Sequence, residues 1–513
     1  MHPHEIITVN NQIKEFINQY GITLQTDEFL TQKQGMYING EFCAAKNEQY
    51  FDLIEPCTNS VLTQVPSADS SDVDSAINAA KQAFKDSEWS RMKPNERARV
   101  LLKLADLVEE NLQTLAEIES LNAGKAISGC KAVDIASSAD LLRYMAGWAT
   151  KIEGSTRSVS AGGEHFAYTL KEAVGVVAAI VPWNWPFSMS LWKLAAPLAV
   201  GCTVVLKPSP LTPLSMLYFA KLCEQAGMPN GVLNIITGSS PDVGSYLVSH
   251  PEVNKVSFTG STAVGVKVGT AALNNVTPVT LELGGKSPMV VFADAKIEKV
   301  VNATQQSVFF NTGQVCSAGS RLYVHRDIYQ QTVSAIVEQA NKMKIGATLD
   351  PESDMGPAIS AGHLQSVCNY IDSGIAEGAV MECGGPIKDK QGFFIKPTVF
   401  SGCTNEMKIV QEEIFGPVLV VIPFDTEDQV VALANDNIYG LAASVFTQDI
   451  SRAQRMVSKL DAGIVWVNTH DLVDSCIPFG GFKKSGFGKD MGPEQLDCFL
   501  KTKAVWIEID SEY

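Results

Sequence analysis

Between residues 175 and 273 short apolar runs alternate with helical stretches, and few folds accommodate that order. GVVAAIVPW (175–183) reads as a buried strand and SMSLWKLAAPLAVG (188–201) as a helix stopped by glycine. TVVLKPS (203–209) is a second strand, and PLSMLYFAKLCEQAG (213–227) is a helix with Pro at its start and Gly at its stop. NIITG (234–238), another helix, KVSFTGS (255–261) and TAVGVKVGTAAL (262–273) continue the series. Strands and helices of these lengths, in this order, imply parallel βαβ units. In such sheets ligands bind at the carboxyl ends of the strands. PWNW, KPSP, FTGS and LELGG each follow a strand, so one binding region is expected there.

A second α/β series runs from SPMVVFADA (287–295) to about Gly486, which predicts two α/β domains meeting near LELGGKSP. Upstream, MYINGEF (36–42) predicts a hairpin with an Asn-Gly turn. DVDSAINAAKQAF (72–84) predicts a helix, and one long helix is expected after Pro94, running to the Gly of LNAGK (121–125). A chain of 513 residues suits two or three domains, and it shows neither internal repeats nor low-complexity segments.

Composition narrows the function classes. A net charge of −16, with acids and bases interspersed, opposes the counterion displacement that nucleic-acid binding needs. The N-terminus has no basic region followed by an apolar core, and the longest apolar stretches fall short of a membrane span. Eleven cysteines are scattered without CxxC pairs or Cys/His zinc spacing, so no metal site and a reduced, cytoplasmic protein are expected. His470 and the other histidines read as ordinary core or surface residues. GSTAVG (260–265) lacks the middle glycine of a dinucleotide loop. A nucleoside-triphosphate loop is excluded, because Val266 separates Gly265 from Lys267 and Thr280 stands where LGGKS would need its upstream glycine. A helix N-terminus can still receive a pyrophosphate through its free N–H groups.

Cys316 differs from the apolar settings of Cys202 and Cys223. In FNTGQVCSAGS (310–320) it lies among turn-formers whose small side chains admit a substrate. A thiol there is a candidate nucleophile rather than a packing group.

PWNWPF (182–187), LKPSP (206–210), FTGSTAVG (258–265), ELGGKSP (282–288), NTGQVCSAGSR (311–321), EEIFGPV (412–418) and PFGGFKKSG (478–486) fall in one order and spacing. Together they resemble the aldehyde dehydrogenase superfamily over nearly the whole chain. The segment before MYINGEF and WVNTHDLVDSCIPFGG (466–481) are most similar to phenylacetaldehyde dehydrogenases. The resemblance implies a Rossmann-like cofactor domain (1–154 and 174–281), an α/β catalytic domain (282–486) and a small β oligomerisation element (155–173 and 499–513). It implies dimers or tetramers formed through EHFAYTLKEA (164–173) and TKAVWIEID (502–510).

It also implies a chemistry, NAD(P)-dependent oxidation of an aldehyde, phenylacetaldehyde above all, to its acid. A bare carbonyl cannot give up hydride to a nicotinamide, so a nucleophile adds first, and the thiolate is cysteine's reactive form. Cys316 matches the family nucleophile and Glu282 its general base. Asn184, with the backbone N–H of Cys316, matches the oxyanion hole. The glycines after Leu283 would make room for a swinging carboxylate and bound cofactor. Lys207 and Ser209 match the adenosine-ribose contacts, Gly260 and Ser261 the pyrophosphate contacts, and Glu413 the nicotinamide-ribose carboxylate, with Phe415 beside it. NAD is the expected cofactor. Pro210 replaces the Glu usual in NAD-preferring members, which leaves NADP open. His363 stands where Gln is common and receives no role. Trp185, Trp192, Phe310, Val315, Ser317, Val473 and Phe479 fall where the family lines its substrate tunnel, and aromatic walls suit an apolar or aryl aldehyde. Asp471 keeps a cationic aldehyde, such as betaine aldehyde, as a competitor. A cofactor-independent cysteine esterase and a catalytically silent structural protein are the rivals from other classes.

Overall fold

The computed structural model describes residues 11–509 except 87, 388 and 389. Five strands, β1 (Val176–Ile180), β2 (Thr203–Lys207), β3 (Leu233–Ile235), β4 (Lys255–Thr259) and β5 (Val279–Glu282), pair in parallel in the order β3-β2-β1-β4-β5. The helices Pro186–Val200, Leu214–Ala226, Pro241–Ser249 and Thr262–Asn274 lie between them in the chain. Strands β1 to β4 are buried along their whole length except Ile180, as a parallel sheet covered on both faces requires. The chain winds outward from β1 in one direction and from β4 in the other. That reversal opens a crevice at their carboxyl ends. The hairpin of Met36–Ile38 and Glu41–Cys43 extends the β3 edge, as MYINGEF predicts.

A second sheet is built from β6 (Pro288–Val291), β7 (Arg321–His325), β8 (Ile395–Ser401), β9 (Val418–Phe424), β10 (Ala442–Phe446) and β11 (Ile464–Val467). These run parallel in the order β8-β9-β7-β6-β10-β11, and Val380–Pro386 joins β8 antiparallel. His165–Ala173 and Leu500–Glu508 pair antiparallel along nine residues each, with Thr156–Arg157 as a third strand. Phe166, Leu170, Trp506 and Ile507 on these strands are exposed. No helix among the described residues is long and apolar enough to cross a membrane.

The structure departs from the sequence expectations in three places. The long helix after Pro94 is two helices, Pro94–Glu110 and Leu112–Ala123. Asn111 breaks it with φ −102° and ψ 16°, its amide donating to Leu107 O (2.8 Å) and accepting from the Tyr218 hydroxyl (2.8 Å). Local hydrogen bonding by Asn competes with the helix ladder. Gly486 does not close the second series. With Phe487 it pairs antiparallel to β5, so the chain returns to the first sheet. Finally, Asn11–Tyr20, Leu24–Thr31 and the helical stretch 127–148 were not anticipated. Residues 1–10 and 510–513, included in the expected domain ranges, lie outside the described residues.

Candidate active site

Glu282 ends β5, and the link 283–287 leads straight into β6. The carboxyl ends of the first sheet therefore face the segments that enter the second: 284–287 before β6, the Cys316 loop before β7, and 413–417 before β9. Glycines permit this approach. A Cβ on Gly284 would come within 2.1 Å of Glu413 Oε2, and one on Gly285 within 2.5 Å of the Cys316 carbonyl. The two glycines of LELGG thus make room for Glu413 and the nucleophile loop rather than for a moving Glu282.

Two cavities meet here. The first, about 460 Å³, is lined by Asn184, Lys207, Ser209, Pro210, Gly260, Ser261, Glu413 and Phe415, together with Trp183 and His363. The second, about 340 Å³, is lined by Trp185, Trp192, Phe310, Val315, Ser317, Asp471, Val473 and Phe479. Cys316 and Met189 line both. Of these two, Cys316 alone carries a nucleophile.

The first cavity fits a dinucleotide. Ser261 caps the helix Thr262–Asn274, its Oγ accepting from Val264 N (3.4 Å), and leaves that N-terminus at the cavity. No partner among the described residues engages the Lys207 ammonium, and burial brings its pKa down to about 8. Glu413 Oε1 accepts from Gly285 N (3.0 Å), and burial pushes this carboxyl up to about 7. Phe415 adopts φ 57°, and its carbonyl bonds the His363 ring (2.7 Å). Both rings pack edge-on against Trp183. His363 therefore holds the turn that presents Glu413. No cluster of three potential metal ligands occurs among the described residues.

The second cavity is an apolar tunnel. Phe310 stacks on Trp185 (5.8 Å between centroids, 24°), and Lys125 Nζ lies 3.6 Å from the Trp185 centroid on a buried pair with Asp134. Trp192 and Phe479 meet edge to face at 5.1 Å. Val133 and Ser137, also in the lining, come from a π-helical turn at Cys130–Ile135 and the helix after it. No motif marks them, and only the irregular helix brings them inward. His470, read as an ordinary residue, is buried in this wall.

Asn184 Nδ2 donates to Gln314 O (2.8 Å), and Asn184 O accepts from Asn311 Nδ2 (3.0 Å). This ties the oxyanion candidate to the nucleophile loop and leaves one amide hydrogen unused. The Cys316 thiol is pushed up to about 12, first by burial and then by Asp471, Glu413 and Glu282. The resting environment favours the neutral thiol, through burial first and then through the neighbouring carboxylates. Glu282 lines neither cavity. Its carboxyl lies against Gly480, where a Cβ would be 2.7 Å from Oε1, and neither oxygen forms a well-made hydrogen bond. Burial and Asp490 raise its pKa well above the usual range, while Lys193 and Lys489 pull it down. Lys193 Nζ and Asp490 Oδ2, 2.6 Å apart and fully buried, were missed in the sequence. Lys193 lies in an apolar helix and Asp490 on a distant loop, so no local pattern joins them.

A parallel-sheet cleft for a dinucleotide, met by an apolar tunnel at a single thiol, defines a cofactor-dependent enzyme of covalent type. The aldehyde dehydrogenase family model matches residues 42–505, and the chain belongs to that family. It is similar to retinal dehydrogenase 2 of Mus musculus, with 44% identity over 476 residues, 92% of each chain. Among solved structures it is similar to an NAD+ complex of aldehyde dehydrogenase from Bacillus cereus (TM-score 0.94, 44% identity, 96% of this chain and 100% of that one). It is also similar to betaine aldehyde dehydrogenase from Staphylococcus aureus in complex with NAD+ (TM-score 0.93, 37% identity, 97% and 98%).

Proposed function

We propose that this aldehyde dehydrogenase oxidises a neutral arylalkyl aldehyde, phenylacetaldehyde or a close analogue, to its carboxylic acid with NAD. The observation that carries the reading is the place of Cys316, the one nucleophile shared by the dinucleotide cavity and the tunnel.

The Cys316 thiol releases its proton to water at the junction of the two cavities, and Glu282, once rotated away from Gly480, serves the hydrolytic step, where a carboxylate of raised pKa draws a proton strongly. The sulfur adds to the carbonyl carbon, and the resulting oxyanion is held by the spare Asn184 amide hydrogen and the Cys316 backbone N–H. NAD, when bound, would supply the hydride acceptor, and Cys316 carries the acyl group as a thioester once its adduct has given up hydride. Glu282 then draws a proton from water as its oxygen attacks the thioester carbon. The C–S bond breaks, the acid leaves, and the sulfur departs as thiolate. Lys207 and Ser209 hold the adenosine ribose, the Gly260–Ser261 turn the pyrophosphate, and Glu413 the nicotinamide ribose, with Phe415 packed beside it.

The tunnel supports a neutral substrate. The Trp185 ring is already engaged by Lys125 Nζ, 3.6 Å from its centroid, and by stacking with Phe310, which disfavours its use by a substrate cation. Asp471 is the opposing feature and supports the second reading, a cationic aldehyde. Pro210 beside the unpaired Lys207 supports some use of NADP. Exposed Phe166, Trp506 and Ile507 support a homodimer or homotetramer through the three-stranded sheet, and eleven unpaired cysteines support a cytoplasmic setting.

The test is the initial rate of reduced-nicotinamide absorbance with phenylacetaldehyde and with betaine aldehyde, each with NAD and with NADP. Faster NAD-dependent turnover of phenylacetaldehyde is expected. Preference for betaine aldehyde contradicts the substrate assignment, and ester cleavage without cofactor as the sole activity contradicts the reaction class.

A further inference from the structure

His470 sits where three parts of the second domain converge. It is 2% exposed, and its ring contacts Ser444 Oγ at 3.0 Å through Nδ1 and Ser317 O at 2.9 Å through Nε2. A carbonyl can only accept, so Nε2 carries the hydrogen, and in the neutral ring Nδ1 accepts from the Ser444 hydroxyl. One end of the imidazole is thereby fixed to β10 and the other to the peptide that follows Cys316.

The backbone around His470 is shaped to deliver it. Asn468 (φ 59°) and Asp471 (φ 58°) bracket it in the left-handed region that side-chain-bearing residues rarely adopt. Asn468 is locked there on both sides: Oδ1 accepts from Thr447 N (3.1 Å), and Nδ2 donates to Thr447 O (2.9 Å). The Trp466 ring lies 4.8 Å from the imidazole, and its Nε1 donates to Leu472 O (2.9 Å), closing the loop over the histidine. Opposite, Gly319 lets the nucleophile loop pass close by: a Cβ there would come within 2.2 Å of Met289 Sδ and would be tight, at 3.3 Å, against Nε2. Backbone strain of this kind persists where the surrounding structure over-determines it, commonly at functional sites.

Before the nucleophile the same loop is pinned independently. Gln314 O accepts from Asn184 Nδ2 (2.8 Å), Gln314 Oε1 accepts from Ile359 N (2.9 Å), and Gln314 Nε2 donates to Asn311 O (3.0 Å). Cys316 lies between these contacts and the His470 contact. We propose that His470 is a positioning residue for the nucleophile: its bond to the Ser317 carbonyl fixes the downstream end of the loop and so aims the thiol at the junction of the two cavities. The proposal rests on Cys316 being the nucleophile and does not depend on which aldehyde is oxidised.

Three variants test it. His470→Phe keeps a ring and removes both hydrogen bonds, His470→Gln restores an N–H toward Ser317 O, and Ser444→Ala frees the far end of the ring. The readouts are kcat and KM for phenylacetaldehyde, the rate of Cys316 alkylation by iodoacetamide, and NAD affinity. His470→Phe is expected to lower kcat and alkylation together by about 10–100-fold, the scale of a small misplacement of a reacting group, with NAD affinity unchanged. His470→Gln recovers most of both. Equal alkylation and kcat in His470→Phe and wild type overturn the proposal, as does a Gln variant as slow as the Phe variant. If the Phe variant does not fold, Ser444→Ala decides: slower alkylation supports the proposal and an unchanged rate overturns it. Alkylation needs neither aldehyde nor cofactor. A chain that turns over no aldehyde yet alkylates Cys316 in a His470-dependent way contradicts the proposed substrate and leaves the positioning role standing.

Discussion

The two cavities that share Cys316 are built on different principles. The dinucleotide cavity is largely a property of the first sheet: most of its lining follows β1, β2, β4 and β5 in sequence, where strand winding order opens the crevice, and Cys316, His363, Glu413 and Phe415 close it from the second α/β series. The tunnel has no such origin. It is assembled from one face of the helix Pro186–Val200, a π-helical turn at 130–135, the start of the nucleophile loop and the loop 468–479. Cofactor binding is therefore anchored in the fold, whereas substrate choice is set by a few side chains and one strained loop. Changes at the thiol should abolish the reaction, and changes in either cavity should alter one half of it alone.

The largest effect is expected at the junction. Cys316→Ser should lower kcat by about 10⁴-fold or more while NAD affinity stays within twofold, read by steady-state rates and by titration of protein fluorescence. Next, Glu282→Gln should lower steady-state kcat by about 10²–10⁴-fold and leave a burst of reduced nicotinamide, since thiohemiacetal oxidation can outrun hydrolysis. A linear time course with full turnover would separate Glu282 from the water step.

Within the cofactor cavity the expected effect is a pH dependence. Glu413 is raised to about 7 and Lys207 lowered to about 8, so the carboxylate gains its charge as pH rises through the first value and the ammonium loses its charge through the second. NAD affinity should peak between them, falling on the acid side as Glu413 is protonated and on the alkaline side as Lys207 is neutralised. Glu413→Gln should flatten the acid limb. A Kd that is constant from pH 6 to 9 would remove both groups from cofactor binding.

The smallest effect belongs to the tunnel. Betaine aldehyde and 3,3-dimethylbutanal differ only in a quaternary nitrogen against a quaternary carbon. The neutral aldehyde should have the higher kcat/KM, by about 2–30-fold, the span of a cation–π contact for which the Trp185 ring is already engaged. Asp471→Asn should widen that ratio, by removing the one tunnel carboxylate. A preference for the cation would make Asp471, rather than the aromatic wall, the determinant of choice.

This division also explains what was legible in the sequence. The βαβ alternation, the glycine stops and the segments after each strand are local signals, and they led to PWNW, KPSP, FTGS and LELGG, within which the family resemblance singled out Asn184, Lys207, Gly260 and Glu282. Cys316 stood out because its neighbours are turn-formers. What escaped depends on contacts between distant segments. Lys193 and Asp490 pair across almost three hundred residues of chain, as their separation of 297 shows. His470 gains its place only through Ser444 and Ser317, and the break at Asn111 needs the Tyr218 hydroxyl. The raised pKa of the Cys316 thiol escaped for the same reason: burial, and then Asp471, Glu413 and Glu282, act on it only in three dimensions.

The most direct measurement is to quench Glu282→Gln in acid during turnover of phenylacetaldehyde with NAD and to map the adduct by peptide mass spectrometry. A phenylacetyl group on the peptide containing Cys316, absent when NAD is omitted, is the expected result. Turnover with no acylated cysteine, or acylation at a different cysteine, would contradict a reaction centred on the thiol that the two cavities share.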